Sequence, residues 1–292
     1  MVWSSDSARQ FRRDAPLAPL TWYRLGGPAR YLMTPRSIDD LVAARRFARE
    51  NELPFRVLGR GANVLVRDEG VPGVVVHVHK GVFAKVRIDG TCVTAGAGVD
   101  LMRLCRACCC KGLAGLETLA GIPATLGGAV AMNAGGRFGQ ISDVVRRVTV
   151  VDETGREAVR GVSELAFGYR RANLGTDIVV QVELELRPAD AGELLRRHDD
   201  IWELKRASQP YGERSAGCVF RNPPGQSAGA LIDRAGLKGM CCGGARVSDV
   251  HANFIVTRGD ARSSDVMRLA DAVRGRVRDR FGVDLEMEMV IW

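Results

Sequence analysis

Apolar side chains recur at helical spacing between residues 38 and 50, where Leu41, Val42, Ala44, Phe47 and Ala48 share one stripe. Asp39 and Asp40 fall in the first turn, where the helix dipole favours acids, and Pro54 follows the stop. A strand is expected before this helix, and the pattern changes after it. The runs 55–58, 64–67 and 74–78 are short, β-branched and separated by glycines, which predicts strands. Two more, 86–88 and 92–95, flank Asp89-Gly90, a hairpin turn signal. Helical spacing returns over 99–111 through Leu101, Leu104, Cys105 and Cys108, and stops at Gly112. Strands follow at 144–151 and 178–186. The second alternates Val180, Val182, Leu184 and Leu186 with polar partners, and Pro188 ends it. A charged helix over 192–206 leads into a smaller C-terminal part. Its clearest helix runs from Ser263 to Phe281, with Val266, Leu269, Val273 and Val277 on one face and Gly282 as the stop. A final strand over 283–291 places Val283, Leu285, Met287, Met289 and Ile291 on one face, and Glu286 and Glu288 on the other.

A chain of 292 residues is long enough for two or three compact units. Its 46% hydrophobic and 26% charged residues are those of an ordinary globular protein. No run of about 18 apolar residues occurs, so no membrane span is expected. The first residues lack a charged-then-apolar export pattern, and the expectation is a cytoplasmic protein with reduced thiols. The formal charge of +8 admits nucleic acid as a partner. Against that, the arginines are dispersed among acids and only 6% of residues are aromatic, which suits a small anionic ligand better. Cys105, Cys108, Cys109 and Cys110 crowd one helix, and Cys105-x-x-Cys108 has the spacing of half a zinc site. No second pair matches it, and cysteine on an apolar stripe behaves as a small hydrophobe, so no metal is expected.

Three glycine-rich stretches carry the candidate chemistry: Leu58-Gly59-Arg60-Gly61-Ala62-Asn63, the loop 121–129 running on to Met132-Asn133-Ala134-Gly135-Gly136, and Ser215-Ala216-Gly217-Cys218-Val219-Phe220. Neither the first nor Gly96-Ala97-Gly98-Val99 completes a dinucleotide fingerprint, and neither is expected to lead from a strand into a helix. No P-loop lysine motif occurs. A glycine loop between two strands can still hold a diphosphate on successive backbone N–H groups. The small residues of 121–129, stiffened by Pro123, would let the backbone approach a flat ring system. Cys218 sits alone at a glycine turn, where a thiol can serve as proton donor or nucleophile.

In their order along the chain, Gly59-x-Gly-Ala-Asn63, Gly121-Ile-Pro-x-Thr-x-Gly-Gly-Ala129, Met132-Asn-Ala-Gly135, Tyr169-Arg170, Ser215-Ala-Gly-Cys-Val-Phe220, Ala228-Gly-x-Leu-Ile232, Ala235-Gly-Leu-Lys-Gly239, Val247-Ser248, His251-Ala-Asn-Phe254 and Leu285-Glu-x-Glu288 resemble the UDP-N-acetylenolpyruvoylglucosamine reductase family. The resemblance covers roughly residues 20–291 and suggests the family's shorter subtype. It implies an α+β protein: an N-terminal extension (1–21), a PCMH-type FAD-binding domain of two α+β subdomains (22–190), and a smaller α+β substrate-binding domain (191–292). Implied cofactor-binding residues are Leu58, Gly59, Arg60, Gly61, Ala62, Asn63, Gly121, Ile122, Pro123, Thr125, Gly127, Gly128, Ala129, Asn133, Ala134 and Gly135. Implied substrate contacts are Tyr169, Lys205, Arg206, Gly217, Asn222 and His251, with NADPH as reductant and UDP-N-acetylglucosamine enolpyruvate as substrate.

The catalytic residues implied are Arg170 on the substrate carboxylate, Cys218 as proton donor and Glu288 beside the enolate-like intermediate, with Glu286 its rival. The chain departs from the family at four places: cysteine at 218 where serine is common, Ala62 for serine, Ala124 for glycine, and Ala172 where serine is frequent shortly after Tyr-Arg. Two other readings are a PCMH-fold oxidase with another substrate and a basic scaffold protein. Oligomeric state is left open, with a monomer favoured.

Overall fold

The computed structural model describes residues 11–292 and divides them into two compact units. One comprises Tyr31–Arg60 and Gly73–Leu204, with the described residues before Asp14. The other gathers Asp14–Arg30, Gly61–Pro72 and Lys205–Trp292. Segments 14–30 and 61–72 therefore group with the C-terminal part, whereas the sequence reading placed the division at 190/191. The expected extension 1–21 falls outside the described residues up to position 10. Beyond it, Arg12–Pro16 is a strand and Ala18–Leu20 a helical turn.

In the first unit the helix Ile38–Glu50 starts at Ser37, whose hydroxyl accepts from the Asp40 amide while Asp40 accepts from Ser37. That reciprocal cap satisfies two amides that a helix start leaves without partners. Phe55–Leu58 runs parallel to Val71–His77, with Leu58 opposite His77. A five-stranded antiparallel sheet has the order Glu157–Gly161, Val145–Val151, Ile178–Glu185, Cys92–Gly96, Val86–Asp89. The hairpin at Asp89-Gly90 forms as expected, with Asp89 opposite Cys92 and Gly90 at φ +56°. The helix Leu101–Cys110 packs Leu101, Leu104, Cys105, Cys108 and Cys109 into the core with Leu126, Val148, Val182 and Leu184. Burial pushes the Cys108 thiol up to about 12 and the Cys109 thiol up to about 11, so both stay protonated and pack as apolar groups.

The second unit folds around the helix Ser263–Phe281, which buries Val266, Leu269, Val273 and Val277 against Tyr23, Leu65, Phe220 and Ile232. Gly282 ends that helix in the left-handed conformation, φ +68°. The meander Cys241–Cys242, Ala245–Val247, Ile255–Thr257 and the helix Ala228–Arg234 complete the unit. Val290–Ile291 pairs in parallel with Val64–Leu65.

Five expectations differ from the structure. The stretch 121–129 is a loop only to Thr125, whose hydroxyl caps a helix over Leu126–Ala131. The Gly96-Ala97-Gly98 segment does connect a strand to a helix, Cys92–Gly96 to Leu101–Cys110. The strand 64–67 stops at Leu65, because the Arg67 carbonyl turns to accept from the Gly27 and Gly70 amides. The strand 283–291 pairs continuously only at Val290–Ile291. Its earlier part meets a partner segment too short for a ladder, so a single antiparallel bridge, Phe220 to Met287, forms there. Pro188 lies in a second short strand, Arg187–Pro188, paired with Leu113–Ala114.

Candidate functional site

In the second unit Ser215 to Phe220 forms the middle of a three-way backbone junction. On one side Cys218 bridges Phe254 in antiparallel sense, and the Val219 amide donates to the Asn253 carbonyl at 2.8 Å. On the other, the Glu288 amide donates to the Val219 carbonyl at 2.8 Å and the Arg221 amide to the Glu286 carbonyl at 2.8 Å. Cys218 and Glu288 thus lie on adjoining extended segments. The buried Asn253 side chain fixes the register, accepting from the Phe220 amide at 3.0 Å and donating to the Phe220 carbonyl at 2.8 Å. Tyr23 braces the turn before Cys218. Its hydroxyl donates to the Ile255 carbonyl at 3.0 Å and takes a hydrogen bond from the Ala216 backbone, while full burial pushes its pKa well above the ordinary tyrosine range.

Gly217 has φ +74°, a conformation that side chains rarely adopt, and a Cβ there would meet only the Ala62 carbonyl, 3.9 Å away. The space in front of the Cys218 turn is therefore open on the side of the first glycine loop. Asn63 stitches that loop to the Glu288 segment: its amide side chain donates to the Glu288 carbonyl at 3.3 Å, and its carbonyl accepts from Val290 at 3.0 Å. Gly61, at φ +63°, passes so close to Leu20 that a Cβ would sit 2.5 Å from its carbonyl oxygen. Among the described residues no carbonyl accepts from the amides of Gly61, Ala62 or Asn63. Consecutive free amides around a left-handed glycine make an anion-binding concavity, so this loop fits one phosphate of a dinucleotide cofactor.

The two terminal carboxylates separate clearly. Glu286 is exposed and lies 3.8 Å from Arg221, whereas Glu288 is half-buried beside Val219. Asn222 accepts from the Ala228 amide at 3.0 Å, holding the start of the Ala228–Arg234 helix. His251 stacks edge-on against Phe254 at 4.9 Å, and its Nδ1 accepts from the Asn253 amide at 3.2 Å. Burial lowers its basicity, so it is the neutral ring with Nδ1 as acceptor. Lys205 and Arg206 occupy the last turn of the helix Ala191–Ser208, where the dipole favours cations.

In the first unit, Gly59 packs against Thr125, whose Oγ1 lies 2.3 Å from where a Cβ would stand, and Gly127 packs on Ala97, whose Cβ lies 2.7 Å from where one on Gly127 would stand. These glycines bring the two loops together. Gly121 turns at φ +76°, and Ile122 and Ala124 are tied back by their amides, to Leu119 and Ile122 respectively. Asn133, buried at φ +38°, donates to the Gly168 carbonyl at 3.1 Å and accepts from the Ser142 amide at 3.3 Å. This links the end of the second loop, Ala134 and Gly135, to the Tyr169-Arg170 turn. Arg170 adopts φ +55°, a costly conformation for a side chain, and its Nη1 donates to the Gly135 carbonyl at 2.8 Å. Its guanidinium lies 5.3 Å from the centre of the exposed Tyr169 ring. Next to Leu58, His77 stacks on His79 at 4.0 Å and hydrogen-bonds the Gly59 backbone. Burial, His79, Lys80 and Arg12 push His77 down to about 4.

Comparison with known proteins now applies. Residues 29–159 match a family model described as FAD binding domain, and residues 209–292 one described as UDP-N-acetylenolpyruvoylglucosamine reductase, C-terminal domain. The fold and its loops thus define an FAD-binding oxidoreductase of the PCMH type. A reductase of that name from Heliobacterium modesticaldum is 44% identical over 97% of this chain and 91% of its own length. One from Anaeromyxobacter dehalogenans is 45% identical over 99% of this chain and 89% of its own. The crystal structure of the Thermus caldophilus reductase superposes with a TM-score of 0.85 at 41% identity, covering 97% of this chain and 99% of that one. A berberine bridge enzyme variant, 17% identical with a TM-score of 0.50 over 65% of this chain and 41% of its own, shares the fold alone. The chain belongs to the UDP-N-acetylenolpyruvoylglucosamine reductase family.

Asn253, Tyr23 and His77 shape these loops, yet the sequence pattern assigns a role to none of them. Asn253 lies inside the quoted His251-Ala-Asn-Phe254 motif, which was the available signal.

Proposed function

We propose that the protein reduces UDP-N-acetylglucosamine enolpyruvate to UDP-N-acetylmuramate for peptidoglycan synthesis, with FAD bound by the loops at 58–63 and 121–135 and NADPH as reductant. The observation that carries the catalytic assignment is the backbone junction joining Cys218 to Glu288 through Val219.

Held by the loops at 58–63 and 121–135, FAD would supply hydride chemistry at the vinyl carbon, with NADPH the proposed source of the reducing equivalents. The protein's side chains manage the charge that results. Negative charge develops on the neighbouring carbon and its carboxylate, and a guanidinium fork at Arg170 suits a carboxylate better than a point charge would. The strained φ of Arg170 and its hydrogen bond to Gly135 pre-set that fork, so little freedom is lost on binding. Glu288, half-buried, is suited to hydrogen-bond the enolate-like form. The Cys218 thiol then gives its proton to the carbon. A thiol, with an ordinary pKa of about 8.5, is protonated at neutral pH and is a far stronger acid than a serine hydroxyl. Lys205 and Arg206 are the proposed contacts to phosphate, and Tyr169, Gly217, Asn222 and His251 the proposed contacts to the sugar nucleotide. A cytoplasmic location accords with a nucleotide substrate, and among the described residues no helix is long and apolar enough to cross a membrane.

The test is a coupled assay. Purified protein should be yellow and should oxidise NADPH only when UDP-N-acetylglucosamine enolpyruvate is supplied. A flavin-bearing protein that ignores this substrate and reduces another would overturn the substrate assignment and leave the fold assignment intact.

A further inference from the structure

We infer that Asp100 is a positioning residue that clasps the two glycine-rich loops together and sets the Arg60 guanidinium at their junction; this rests on the reading that those loops hold the flavin nucleotide. Asp100 lies outside every motif quoted above, and three separate contacts converge on it. One carboxylate oxygen accepts from the Arg103 amide at 3.0 Å and so caps the helix Leu101–Cys110. The other pairs with the Arg60 guanidinium of the first loop. Its main chain forms an antiparallel bridge with Thr125 of the second loop, flanked by Leu101 donating to Ala124 at 3.0 Å and Leu126 donating to Val99 at 2.8 Å. Thr125 in turn caps the helix Leu126–Ala131 and abuts Gly59.

The charges explain why a carboxylate is needed there. Arg103 also faces Arg60, and like charges at this range repel. With Asp100 ionised, Arg60 is drawn into the junction. With Asp100 neutral, that attraction is lost while the repulsion from Arg103 remains, and Arg60 moves outward. The pair is only partly exposed, 36% for the arginine side chain and 21% for the aspartate, so water screens it incompletely.

Asparagine caps a helix as well as aspartate does but carries no charge, and this separates the clasp from the cap. FAD affinity of the deflavinated full-length chain is read from quenching of flavin fluorescence, and stability of the same apoprotein from its urea midpoint. Asp100→Asn should bind FAD about tenfold more weakly with an unchanged midpoint. Arg60→Gln should do the same, and the double variant should be no weaker than either single one. Asp100→Glu, which keeps the charge, should recover part of the affinity. Wild-type affinity in Asp100→Asn, multiplying effects in the double variant, or a midpoint that falls along with affinity would each overturn the clasp. A wild-type chain that does not quench FAD would overturn the flavin reading itself, and the clasp with it.

Discussion

Cys218, the proposed proton donor, owes its placement to neighbours given no part in the reaction. Asn253 holds both main-chain groups of Phe220, Tyr23 braces Ala216, and Gly217 accepts a conformation that residues with side chains rarely adopt. Cys218→Ser should therefore keep the fold and retain partial turnover, since the hydroxyl occupies the same turn. Cys218→Ala should take up hydride without releasing the saturated product, which solvent-deuterium incorporation and product analysis would reveal. Turnover at the wild-type rate in the alanine variant would remove Cys218 as the donor. A second residue-scale expectation concerns His77, His79 and His251, each less basic in the folded protein than the ordinary value near 6.5. The unfolded chain then binds protons first as pH falls. Their contribution is complete above about 6.5 and is lost as pH drops toward the His77 value of about 4. The urea midpoint should fall between pH 7 and pH 4.5, and His77→Gln should flatten that fall. Cys218 was legible because a lone thiol among glycines is conspicuous. Asp100 and Tyr23 were not, because one polar or aromatic residue without periodicity gives no hint of a partner far along the chain.

At the scale of elements, strong periodicity translated directly. The helix over 38–50 was found to the residue, as was the end of Ser263–Phe281 at Gly282. The short helix Leu126–Ala131 escaped because its glycines and alanine suit a loop as well, and its one signal was Thr125 as cap. The final strand was over-read because alternation marks an extended segment buried on one face without guaranteeing a ladder. Gly243 and Gly282 distinguish two reasons for glycine at positive φ. A Cβ on Gly282 would meet nothing within 4 Å, so Gly282→Ala should cost only the backbone term, about 1 kcal/mol. A Cβ on Gly243 would lie 2.4 Å from the Asp265 carboxylate, which accepts from the Gly244 and Arg262 amides. Gly243→Ala should cost at least about twice as much, read from paired urea melts. Equal costs would show that the carboxylate moves aside freely.

For the whole molecule, composition and charge excluded classes of protein without locating a site. The arginines do not form one basic face: Arg147 pairs with Glu183, Arg160 with Asp177 and Arg246 with Asp249. What the sequence could not disclose was that the second compact unit is discontinuous. Nothing in 14–30 or 61–72 announces a partner beyond residue 205. Three backbone hydrogen bonds fasten the last strand: Val290 to Asn63, Trp292 to Leu65, and Arg67 back to Trp292. Removing residues 290–292 should thus lower the thermal midpoint by about 5 °C and reduce turnover, because Asn63 and Glu288 lose their common support. An unaltered midpoint would mean that the contacts of residues 286–288 with 219–221 and Asn63 secure the segment without the last strand.

The contact between Asn63 and Glu288 spans 225 positions. Closing so long a loop costs little more at equilibrium than closing a shorter one, because the entropy grows only logarithmically. Its effect is on timing. During translation, residues 61–72 leave the ribosome long before their strand partner has been made, and must wait with their pairing groups open to solvent or chaperone. The loop at 61–63 thus acquires its Glu288 partner only after all of the intervening chain has been made.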